Sequence, residues 1–146
     1  MQRPADRGSM LIEVVFLMVL VMLPLFYLVG TLGRLQAGAY AASATAREAG
    51  RAYVTADAGS SAAARGRAAA DLVLASHGFS AGQAEVSVSC ASAPCLTPGS
   101  SVEVSSVVQV ELPLVPDFMS AAVPTSVSLS SRHTEPVDAF RAPGPP

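Results

Sequence analysis

The chain has no lysine and no tryptophan, only two cysteines and two histidines, and few aromatic residues of any kind. Each scarcity removes a class of function. Nine basic residues against eleven acidic ones leave a formal charge of −2, so there is none of the clustered basic surface that phosphate recognition needs, and no nucleic acid partner is expected. That every basic residue is Arg reads as a GC-rich coding bias before it reads as chemistry. His77 and His133 stand at no ligand spacing from Cys90 and Cys95, which argues against a zinc site. There is no glycine-rich phosphate loop, no nucleophile elbow and no paired carboxylate framework. Asp71, His77 and a serine can be named as a triad, but nothing in their spacing assembles one. The expectation is a protein that is not an enzyme, with no catalytic residue, no metal and no cofactor.

What is present in quantity is apolar residue, unevenly spread. The bulky ones crowd into positions 10–32, and Ala and Ser dominate afterwards. Residues 14–33 carry no charge, and 20 residues at about 1.5 Å each make a helix of about 30 Å, the thickness of a bilayer core. Thirteen of them are Leu, Phe or Val, so insertion is favourable despite Pro24, Gly30 and Gly33. Arg3 and Arg7 precede the run and only Arg34 follows it closely, which holds the N-terminus in the cytoplasm and puts the rest outside. A secretory signal peptide cut near Ala37-Gly38-Ala39 is the competing reading. The run is longer than such segments usually are, and Glu13 lies inside it, where a carboxylate is costly and signal peptides rarely carry one. The chain is expected to be a single-pass protein of the cell membrane, in contact with membrane lipid.

Glu13 carries the most information. An ionisable group inside a membrane segment requires a partner to offset its desolvation. The run Asp6-Arg7-Gly8-Ser9-Met10-Leu11-Ile12-Glu13 resembles the processing site of type IV pilins and pseudopilins: a short charged leader, Gly, four residues, then Glu opening an apolar helix. The resemblance implies that a prepilin peptidase cuts between Gly8 and Ser9, and that the Glu13 carboxylate then pairs with a mature N-terminal amine, its own or a neighbour's. The segment 34–53, with Ala46-Arg47-Glu48-Ala49-Gly50-Arg51-Ala52, is similar to what TadE-like proteins of tight-adherence (Flp-type) systems carry just outside the membrane. Pro24 departs from that pattern, in which a Pro tends to lie nearer the Glu. The implied role is that of a minor pilin or pseudopilin, and the implied partners are other pilin subunits, the inner-membrane pilus assembly platform and the prepilin peptidase. A monomeric membrane-anchored binding module for the cell envelope is the alternative.

Beyond the membrane, Leu35, Ala39, Ala42, Ala46, Ala49 and Tyr53 recur at three and four residues, which predicts one helix from position 10 to about 55 with an amphipathic outer half. A second helix is predicted over 62–76, capped by Gly78, with Phe79 folding back. Val86, Val88 and Cys90 alternate with polar residues, as do Val102 to Leu112 and Val127 to Leu129, and Pro98-Gly99-Ser100 marks a turn. The expected fold is α+β: a long helix, a shorter one, and a three-stranded antiparallel sheet packed on the long helix, as in pilin subunits. The expected organisation is a leader over 1–8, a membrane helix over 9–33, an extracytoplasmic domain over 34–135 and a mobile tail over 136–146. Cys90 and Cys95 have the spacing of a hairpin disulfide in an oxidising exterior.

Overall fold

The computed structural model describes residues 6–57, 59–113 and 124–142. Helix α1 spans Asp6–Val54 and helix α2 Gly59–Ser76; strands β1 (Ala84–Cys90), β2 (Ser101–Glu111) and β3 (Ser126–Pro136) follow, with a 3-10 turn at Ala81–Gln83. The chain divides into two compact units, Met1–Gly33 and Arg34–Pro146.

The first unit is helical from Asp6 and is apolar on every side. Met10 is 71% exposed and Phe26 70%, and Leu11, Ile12, Leu17 and Leu28 are exposed as well. A helix whose apolar residues cover its whole circumference has no water-facing side. It is long and apolar enough to cross a membrane, with none of its most apolar window buried. The helix continues through Pro24, a residue that membrane helices tolerate where soluble helices break.

The second unit is the expected helix-on-sheet arrangement. All three strands are antiparallel with β2 in the middle, and the registers run without a bulge, Val104 facing Val88 on one side and His133 on the other. Strict alternation puts Val102, Val104, Ser106, Val108 and Val110 on one face, all fully buried. The C-terminal half of α1 lies along that face, antiparallel to β2. A Cβ added at Gly38 would meet Val110, and one added at Gly50 would meet Val104. The helix residues in the contact are small, Ala41, Ala42, Thr45, Ala46 and Ala49, so the backbone sits close to the sheet. At Gly38 the approach is closest, for a Cβ would stand 2.3 Å from a Val110 methyl. The buried arc is therefore centred on Ala42, Thr45 and Ala49, and Ala39 is left on the exposed flank.

Helix α2 packs beside α1 and over β1. A Cβ at Gly66 would come within 3.2 Å of the Ala49 carbonyl. The predicted cap is present: Gly78 takes a φ of 77°, Phe79 N–H donates to the Leu74 carbonyl at 2.9 Å, and the Phe79 ring is buried beside Leu74, Val108 and Val110. Arg34 lies over that ring, its guanidinium carbon 5.4 Å from the centroid.

Two expectations are corrected. Strand β3 is much longer than the Val127–Leu129 alternation, running through Arg132, His133, Thr134 and Glu135 to Pro136. The tail expected from Pro136 onward does not hold for residues 136–142: Val137 is 2% exposed within the core, exchanges backbone hydrogen bonds with Gly99 and Ser100, and is followed by Arg141, whose side chain binds the end of α1. Residues 143–146 of that tail, and residues 1–5 of the leader, lie outside the described residues.

Candidate functional site

Three places are candidates: the start of α1 and the disulfide hairpin, which the sequence singles out, and the end of the sheet near Arg51.

Gly8 and Ser9 belong to the first turns of α1, and Glu13 follows on the same helix. At 1.5 Å and 100° per residue, position 9 lies about 6 Å from position 13 along the axis and close to the same face, the i, i+4 relation in which opposite charges pair. Glu13 is exposed among Ile12, Val14, Phe16 and Leu17. Among the described residues no ion pair or hydrogen bond includes it. In a low-dielectric medium a carboxylate there would interact strongly with a cation brought beside it.

Cys90 and Cys95 form a disulfide with a Cα–Cα distance of 5.1 Å. It closes the turn after β1, which contains the cis Ala93-Pro94 bond, and both half-cystines are packed with Leu96 against the core around Tyr53 and Val102. The bridge therefore fixes the β1 end and adds apolar cover to a core made mostly of Ala and Val.

The third place was not visible in the sequence. A cavity of about 620 Å³ lies between the last turn of α1 and the end of β3, lined by Arg51, Thr55, Gly99, Glu135, Val137 and Asp138 among others. Glu135 is engaged by His133, Oε2 to Nε2 at 2.9 Å, in a half-buried pair. Asp138 Oδ1 accepts the Phe140 N–H at 2.8 Å. The signal for this site is split among Arg51, β3 and the segment after it, which meet only through the fold.

His77 ends up in the turn after α2 and His133 on β3, and the structure does not bring either to the cysteines. Among the described residues no three His, Cys, Asp or Glu side chains gather in a way that would hold a metal ion. Compared with protein-family models, with curated proteins and with solved structures, the chain matches none.

Proposed function

We propose that this chain is a minor pilin- or pseudopilin-like structural subunit of a tight-adherence (Flp-type) pilus or related secretion filament. In this reading it is held in the cell membrane by residues 9–33, with the N-terminus cytoplasmic and the α+β unit outside. The observation that carries it is Glu13: a carboxylate that has no partner among the described residues, opening an otherwise uncharged apolar stretch of α1 five residues after Gly8. Cleavage between Gly8 and Ser9 by a prepilin peptidase would create an amine four residues before Glu13. The pair formed with that amine, in the same subunit or the next, would set the register in which helices of neighbouring subunits lie side by side, the sheet unit facing outward. Other pilin subunits and the inner-membrane assembly platform are the partners, and the role is structural, not catalytic. Removal of a signal peptide after Ala39 fits less well, because it would strip Leu35, Ala37 and Gly38 from the helix–sheet contact.

The test is the intact mass and N-terminal sequence of the protein purified from membranes of a host with its own prepilin peptidase. A start at Ser9 is expected, and Glu13→Ala is expected to stay in the membrane while losing processing or co-purification with other subunits. A start at Met1, or full assembly of the Glu13→Ala protein, would overturn the reading. The cavity beside Arg51, Glu135 and Asp138 favours one second reading, a monomeric anchored binding module; that protein would be indifferent to Glu13→Ala.

A further inference from the structure

Among the described residues β1 and β3 each have β2 as their one neighbouring strand; the two edges are not alike, and their backbone phase is fixed by the hydrogen bonds that end the ladders. Leu112 N–H donates to the Thr125 carbonyl, and Val137 N–H to the Ser100 carbonyl. In an antiparallel pair, residues alternate between those that bond to the neighbouring strand and those whose groups point away. Both end bonds agree that the odd-numbered residues of β3 bond to β2. The N–H groups of Ser126, Ser128, Ser130, Arg132 and Thr134 therefore point to the open edge, with their side chains on the face away from α1. The same logic applies to β1. Ala91 N–H donates to the Ser101 carbonyl, so odd residues bond to β2, and Ala84, Val86, Val88 and Cys90 present their backbone groups outward.

Natural sheets blunt such edges with prolines, bulges, lysines or short strands. β3 spans 11 residues without a bulge, and its prolines stand only at the margins, Pro124 and Pro136. Their spacing leaves the whole stretch between them able to donate. The outer faces of the two edges also differ in charge. On β3 the exposed cation is Arg132, 74% free at its side chain, with Glu103 of β2 only at 4.0 Å; the other outward residues there are Ser and Thr. On β1 the outward residues are Glu85, Ser87 and Ser89. Arg67 of α2 lines a pocket with Glu85, but of the strand residues themselves two β3 edges would bring no carboxylate to Arg132, and two β1 edges no cation to Glu85. A β3 edge meeting a β1 edge supplies both.

We propose that the β3 edge of one copy pairs with the β1 edge of a second copy of this chain. β1 and β3 both run antiparallel to β2, so the new pair is parallel and the copies keep the same orientation. Ser130 lies beside Glu85 of the next copy, Arg132 beside its Ser87, and the guanidinium reaches diagonally to the Glu85 carboxylate. The contact is head-to-tail, so it propagates instead of closing a dimer. It deepens the assembly reading by naming a second contact between subunits, outside the membrane helices.

The absence of lysine makes the test clean. Arg132→Lys keeps the charge and introduces the sole side-chain amine of the chain. Full-length protein carrying it, isotope-labelled and unlabelled copies mixed in equal amounts in membranes, is treated with a water-soluble carbodiimide, which joins amines to adjacent carboxylates. The expected product is a peptide pair linking position 132 of one copy to Glu85 of the other. It should vanish with Glu85→Gln. It should fall about fivefold with Ser130→Pro, which removes one donor from the open edge and leaves the β2 ladder intact. Coupling of position 132 to Glu103 of its own chain alone, or a link to Glu85 that ignores Ser130→Pro, would overturn the proposal. The two readings fail separately: co-purification that ignores Glu13→Ala sinks the helix reading and leaves the edge product in place, whereas Glu13-dependent co-purification without that product sinks the edge contact alone.

Discussion

The Arg141 guanidinium donates to the Val54 carbonyl at 2.6 Å and also to the carbonyl of Ala56. Carbonyls at a helix C-terminus lack intrahelical partners and carry the negative end of the helix dipole, so a cation donating to them acts on both counts. Arg141→Ala is expected to lower the stability of the second unit by about 1–3 kcal/mol, with Arg141→Lys restoring only part, since a single ammonium cannot reproduce the planar fork. Thermal melts of the full chain in detergent measure both.

Gly38→Ala gives a second prediction, opposite in sign to what helix propensity alone would give. Ala is the better helix former by about 1 kcal/mol. A Cβ at that site would lie 2.3 Å from Val110 and 3.0 Å from Leu129, and overpacking of this kind costs about 1–3 kcal/mol. The substitution should therefore lower the melting temperature, and an unchanged or raised value would show that α1 can draw back from the sheet without loss.

Thr45 and Ser106 are both fully buried, and among the described residues neither hydroxyl has a hydrogen-bond partner. From the Gly38–Val110 and Gly50–Val104 contacts, they lie at about the same level of the helix–sheet interface. A buried hydroxyl without a partner costs about 1–3 kcal/mol. Thr45→Val keeps the shape and removes the cost, so it should stabilise the protein by about 1 kcal/mol. Denaturant titration decides the sign.

Replacing both Cys90 and Cys95 by Ala removes a bridge that spans a sequence separation of 5. Closing so short a loop is worth about 2 kcal/mol on the chain-entropy estimate. The double variant, and the reduced wild type, should lose that much stability, with the amides of the β1 end exchanging faster with solvent.

The extent to which the sequence announced this fold differs from strand to strand. β2 was legible because its valines alternate with polar residues and only one face is covered. The second half of β3 was not, because its inward positions are Ser131, His133 and Glu135; the last two satisfy each other at the rim of the core, which hides the apolar alternation that marks a strand. The Gly78 cap could be read from Gly followed by an aromatic residue. The anchoring of Val137 and Arg141 could not, since their partners are Ser100 and the end of α1, far away in the chain. Of the candidate site, Gly8, Ser9 and Glu13 stand out by spacing alone, and the disulfide by its short hairpin. The Arg51–Glu135–Asp138 cavity needed the fold, which alone brings its three segments together.

The antiparallel, side-by-side lie of α1 on β2 from Gly38 to Gly50 has a mechanical meaning. Tension drawn along the helix axis loads this contact in shear: Ala41, Ala42, Thr45, Ala46 and Ala49 must slide past the valines together. A domain gripped in that way resists pulling far better than one peeled open from an end, and close backbone packing with small side chains makes the grip short-ranged and stiff.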